Sequence, residues 1–165
     1  MKTLFIGYGN PDRQDDGVAW HVLTGIANQL GLETSSSWED PLPSKPEIEF
    51  SFNLQLTPEV ATDLTSYDRV CFVDAHTGKI PTNVQMIHIT PEYQTSPFTH
   101  HLTPEMLLSM CLSMYNKQLE AILISVRGYE FGFEAELSPF TSSLVNEAVE
   151  RAVGWLKKEN ESAYA

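Results

Sequence analysis

Three aspartates, Asp12, Asp15 and Asp16, crowd a loop that reads Gly7-Tyr8-Gly9-Asn10-Pro11-Asp12-Arg13-Gln14-Asp15-Asp16-Gly17. Two glycines directly after an apolar strand are how a dinucleotide-binding turn begins. The third glycine of that turn belongs at position 12, which is Asp12. Helix N-termini favour anions because backbone amides point there, and added carboxylates reverse the local field. The loop therefore suits a cation better than a pyrophosphate. The competing use of Asp15 and Asp16 is to cap the helix that follows.

A further carboxylate stands in Phe72-Val73-Asp74-Ala75-His76-Thr77-Gly78, where Asp74 ends an apolar run. In open α/β sheets ligands gather outside the carboxyl ends of the strands. An aspartate there can also simply accept hydrogen bonds from loop amides. The third group is Thr99-His100-His101-Leu102-Thr103, just before a helix. Adjacent side chains diverge, so at most one of the two histidines serves any one site. One imidazole nitrogen with two carboxylate oxygens suits a borderline divalent metal such as nickel or zinc. Three protein ligands with open positions describe a site that accepts further ligands from elsewhere.

Positioning these groups falls to alternating strands and helices. Residues 2–6 form a short apolar strand ending at Gly7. From Gly17 to about Leu30, Val18, Val22 and Ile26 recur every four positions, with Ala19, Leu23 and Leu30 beside them, which predicts a helix packed on a sheet. Residues 33–46, with serines and prolines, read as an irregular surface loop. Residues 47–54 read as a strand. Thr57-Pro58-Glu59 then places a capping hydroxyl and a first-turn proline ahead of a helix that ends near Leu64. The nearly continuous apolar run 69–74 has the pattern of a central parallel strand. Further strands are expected at 84–89 and 120–126. Helices are expected from Thr103-Pro104-Glu105 to about Tyr115, and from Ser138-Pro139 onward with Val145, Val149, Ala152 and Leu156 on one face. This alternation predicts an α/β fold: a three-layer α/β/α sandwich around a mostly parallel, twisted sheet of about five strands.

A chain of 165 residues without internal repeats suits one domain over positions 1–165. Hydrophobic residues at 42% against 19% charged ones indicate a globular chain rather than a disordered one. The net charge of −12 would repel a phosphate backbone, which argues against nucleic-acid binding. No apolar run approaches the ~18–20 residues of a membrane span, and the apolar start is too short for a signal peptide. A soluble cytoplasmic protein is expected. Cys71 and Cys111 sit in separate apolar stretches and read as buried free thiols, not as a disulfide or a metal site.

In order, Gly-x-Gly-Asn, Asp-Asp-Gly, Val-Asp-Ala and Thr-His-x-Leu resemble the motifs of the nickel–iron hydrogenase maturation proteases. The resemblance runs from Met1 to about Leu156. Near its end, residues 122–126 and Glu136-Leu137-Ser138 are similar to the family's last strand and the start of its last helix. Departures fall at residues 53–59, where many members are glycine-rich, and at Ala19, where many have glycine. The resemblance implies an endopeptidase that removes a C-terminal extension from the precursor of a hydrogenase large subunit after nickel insertion. It implies that the nickel is carried by the substrate, with no tightly bound cofactor in the free enzyme. The family's two metal-contacting acids fall on Asp16 and Asp74, and its histidine on His100, so these three are the candidate catalytic and metal-contacting residues. His76 and His101 lie close to them in sequence. The family lacks a serine or cysteine nucleophile, and no serine here sits in a nucleophile elbow. Two other classes of function compete with this one. A non-cleaving metallochaperone or holding module for the large subunit would show the same ligands. A nucleotide-binding protein would rest on the Gly-Tyr-Gly loop alone.

Overall fold

A computed structural model of the chain describes residues 1–92 and 102–162; His100 and His101 lie outside them. The apolar runs become the strands β1 (Thr3–Tyr8), β2 (Ile48–Asn53), β3 (Arg69–His76), β4 (Val84–His88) and β5 (Glu120–Arg127). They form one sheet in the order β2-β1-β3-β5-β4. β1 pairs in parallel with β2 and β3, β3 pairs in parallel with β5, and β4 lies antiparallel against β5 at the margin. The sheet is thus five-stranded and mostly parallel, as expected. Residues on β1, β3 and β5 are buried on both faces, which is why these segments read as unbroken apolar runs instead of alternating ones.

The helices are α1 (Val18–Gln29), α2 (Glu59–Leu64), α3 (Pro104–Tyr115) and α4 (Pro139–Ser162). α1 and α4 cover one face. Their core joins Val22, Leu23 and Ile26 to Ala152 and Leu156, with Phe5, Cys71 and Ile122 from the sheet. Phe5 stacks on Phe50 at 5.3 Å and meets the edge of Trp155 at 6.1 Å. α2 and α3 cover the other face, where Leu64, Leu107 and Cys111 pack on Leu4, Ile6, Val70 and Phe72. The two cysteines are therefore buried, free and on opposite sides of the sheet. No helix among the described residues is long and apolar enough to cross a membrane.

Close approaches explain two small residues. A Cβ on Gly7 would lie 3.0 Å from the Ala19 methyl, so α1 rests on β1 through a small-on-small contact. Local signals held unevenly. Thr103 caps α3 as expected, its hydroxyl accepting from the Met106 amide at 3.2 Å. Thr57 does not cap α2 with its side chain. Pro58 already has helical dihedrals, and the first turn closes through the Thr57 carbonyl, which accepts from the Val60 amide at 3.1 Å. The irregular stretch 33–46 contains an isolated bridge from Lys45 to Ile48.

Candidate functional site

On β1, Leu4, Ile6 and Tyr8 point to the face covered by α2 and α3; on β3, Val70, Phe72 and Asp74 do the same. Asp74 is thus the polar end of an apolar stripe. The strand does not end at Asp74 but continues to His76, so Asp74 lies within the sheet, next to Ser125 on β5. Register pairs Gly7 with Val73, which sets Tyr8 beside Asp74. The Tyr8 hydroxyl donates to Asp74 Oδ2 at 2.9 Å. Asp74 Oδ1 is buried and makes no close hydrogen bond among the described residues. Burial pushes the Asp74 carboxyl up to about 6; the negative charges of Glu105 and Asp16 add to this, and the Tyr8 and Ser125 hydroxyls oppose it. Burial, then the neighbouring Asp74 charge, also raises the Tyr8 phenol, which stays protonated and serves as donor.

Asp16 arrives from the loop after β1, which forms a kinked 3₁₀ segment at Pro11–Gly17. Its Oδ2 accepts from the Asn10 amide at 2.8 Å, closing the loop on itself. Gly9 makes that closure possible. Its φ is +139°, and a Cβ there would collide with the Asp16 carbonyl oxygen. Asp16 and Asp74 both line a cleft of about 520 Å³ at the carboxyl end of the sheet, with Tyr8, Gly9, Ala75, residues 54–58 and Leu102. Leu102, the residue after His101 in sequence, is part of this lining. Among the described residues no three His, Cys, Asp or Glu side chains form a group that could hold a metal. Any such group at this cleft needs a ligand from outside the described residues or from a bound partner.

Neither Asp15 nor Asp16 caps α1, whose N-cap residue is Gly17 and which has no side-chain cap. Asp15 is fully buried and crosses the molecule. Its carboxylate accepts from the amides of Tyr129, Glu130 and Ser138 at 2.8 to 2.9 Å, and from the hydroxyls of Ser138 and Thr141 at 2.7 and 2.9 Å. Burial alone would raise the Asp15 carboxyl, but the Ser138 hydroxyl and the three amides outweigh it and hold it below the usual range. Arg13 and Gln14 extend this clasp. Arg13 donates twice to the Phe131 carbonyl, at 3.2 and 2.8 Å. Gln14 sits at φ +49°, its amide bonded to the Glu134 carbonyl and its Oε1 to the Gly132 amide, both at 2.8 Å. A strained, non-glycine backbone is thus held in place beside Asp16 by the loop that leads into α4.

His76 is not part of the cleft lining. Its Nδ1 accepts from the Gly78 amide at 3.2 Å, so Nε2 carries the proton and donates to the Thr82 carbonyl at 3.0 Å. Both ring nitrogens are used in tying the end of β3 to the following turn. The sequence reading missed Tyr8 and the charge of Glu105. Ending the first strand at Ile6 concealed the alternation Leu4, Ile6, Tyr8 that carries the phenol to the same face as Asp74.

No family model matches the chain, and no match is found among curated proteins. Solved structures do match. The hydrogenase maturating endopeptidase HybD from E. coli is 16% identical, with 96% of this chain and 94% of that one covered at a TM-score of 0.70. The Escherichia coli endopeptidase HycI is 17% identical, with 94% and 91% covered at a TM-score of 0.63. The NiFe hydrogenase maturation protease HycI from Thermococcus kodakarensis KOD1 is 20% identical, with 95% and 90% covered at 0.58. At such identities the likeness is one of fold. Over nearly its whole length, the chain has the fold of the nickel–iron hydrogenase maturation proteases.

Proposed function

We propose that this chain is an endopeptidase that removes the C-terminal extension of a nickel–iron hydrogenase large-subunit precursor once nickel has been inserted. The observation that supports it best is the meeting of Asp16 and Asp74, carried by separate elements, on one cleft in a fold shared with endopeptidases of hydrogenase maturation. In this reading the chain acts as one cytoplasmic domain. Nickel belongs to the substrate and is shared with Asp16, Asp74 and His100. Two carboxylates and an imidazole leave positions open for the substrate's own ligands. A divalent ion so held acts as a Lewis acid on the scissile carbonyl or on a water, and no protein nucleophile is needed. Cys71 and Cys111 are too buried to supply one. Requiring a metal borne by the substrate also spares the nickel-free subunit.

The test is incubation of the protein with nickel-loaded and with nickel-free precursor, read by mass. Loss of the C-terminal peptide from the loaded form alone is the expected result. A stable, nickel-dependent complex from which no peptide is released would show a holding module instead.

A further inference from the structure

We propose that Tyr8 is a positioning residue for Asp74: its hydroxyl, donating to Oδ2, fixes the orientation in which the carboxylate meets the substrate's metal. The proposal rests on reading Asp74 as a nickel contact. A carboxylate can turn either oxygen, or both, toward a cation. Here the Tyr8 phenol restrains that freedom. Tyr8 closes β1, pairs in register with Asn53 of β2, and follows the Gly7–Val73 pair, so the sheet itself sets the reach of the phenol. The ring packs against the apolar layer under α2 and α3, and the hydroxyl meets Asp74 Oδ2 at 2.9 Å. Oδ1 is shielded from solvent and makes no close hydrogen bond among the described residues, with Ser125 of β5 beside the carboxylate. Tyr8 and Asp74 line the same cleft. A hydrogen bond from behind a metal ligand fixes its orientation. A phenylalanine would fill the same space; the hydroxyl adds that orientation.

The experiment uses the full-length chain as wild type, Tyr8→Phe and Asp74→Asn. Binding to nickel-loaded and nickel-free precursor is measured, together with kcat and KM for processing and the melting temperature. Tyr8→Phe should bind nickel-free precursor as the wild type does. Its affinity gain from nickel and its kcat should fall about tenfold or more, the usual effect of losing a partner behind a metal ligand. Equal loss of affinity for both precursor forms would show a merely structural tyrosine and overturn the proposal. So would a Tyr8→Phe protein matching the wild type while Asp74→Asn is inactive, which would leave the assignment of Asp74 standing. An Asp74→Asn protein that processes normally would remove Asp74 from the site and the proposal with it.

Discussion

Asp15 and Ser138, 123 positions apart, are joined by two hydrogen bonds: the Ser138 amide to Asp15 Oδ1 at 2.8 Å and the Ser138 hydroxyl to Oδ2 at 2.7 Å. This link ties the loop that carries Asp16 to the start of α4. Replacing Asp15 with alanine removes the acceptor of three amides and of the Ser138 hydroxyl, while the Thr141 hydroxyl keeps the Arg127 carbonyl at 2.8 Å. The expected loss is about 3–5 kcal/mol by urea denaturation at pH 7, since each buried donor left unpaired costs about 1–3 kcal/mol and relaxation recovers part. Asp15 is held below the usual carboxylate range. Its contribution is therefore complete above the unfolded value of about 3.9 and fades as pH falls through the lower folded value. The gap between wild type and Asp15→Ala should narrow in acid. A gap of the same size at pH 7 and pH 2.5 would contradict this account.

Gly9 and Gly31 provide a matched pair, because both have positive φ but only one is crowded. At Gly9 a Cβ would strike the Asp16 carbonyl; at Gly31, with φ +84°, nothing lies within 4 Å. Gly31→Ala should cost about 1–2 kcal/mol, the backbone penalty alone. Gly9→Ala should cost at least about 2 kcal/mol more than that and should displace Asp16. Thermal denaturation and precursor processing, measured side by side, check both. Wild-type processing by Gly9→Ala at a temperature where it is folded would detach Asp16 from the function.

The strands were legible because a sheet buried on both faces demands apolar runs, and 69–74 and 120–126 are such runs. The Thr103 cap was legible because its partner, Met106, is three residues away. Asp15 was not. Its acceptor capacity is met by residues 114 to 126 positions distant, and no local spacing encodes that. From the chain alone, Asp15 and Asp16 are adjacent carboxylates of equal standing. Folding separates them into a buried brace and a cleft residue. Tyr8 escaped for a related reason, since its hydrogen bond to Asp74 depends on parallel register between β1 and β3.

Asp74 carries a cost in the free protein. Its carboxyl is raised to about 6, against about 3.9 when unfolded. As pH rises between these values the unfolded chain releases the proton first, so stability falls through this window and stays lower above it. Asp74→Asn removes the charge and should be more stable than wild type at pH 7, by about 1–3 kcal/mol. That advantage should shrink toward zero below about pH 4, where both states of the wild type are protonated. Urea denaturation at the two pH values measures it. A variant less stable than wild type at pH 7 would mean that the burial penalty is already met by other groups.

Three histidines near the cleft in sequence have different expected roles, and single alanine variants separate them. His76 is engaged at both nitrogens, to Gly78 and Thr82. His76→Ala should lower stability by about 1–3 kcal/mol, because two part-buried hydrogen bonds worth about 0.5–1.5 kcal/mol each are lost, yet leave nickel-dependent processing measurable at low temperature. His100→Ala should abolish processing, since the proposed imidazole contact to the substrate's nickel is lost. His101→Ala should matter much less, because adjacent side chains diverge. Melting curves and mass-resolved processing of nickel-loaded precursor measure all three. If His101→Ala abolishes processing and His100→Ala does not, the metal contact belongs to His101. If neither variant changes the rate, no imidazole from this segment reaches the metal. Asp16 and Asp74 would then have to hold it with the substrate's own ligands alone.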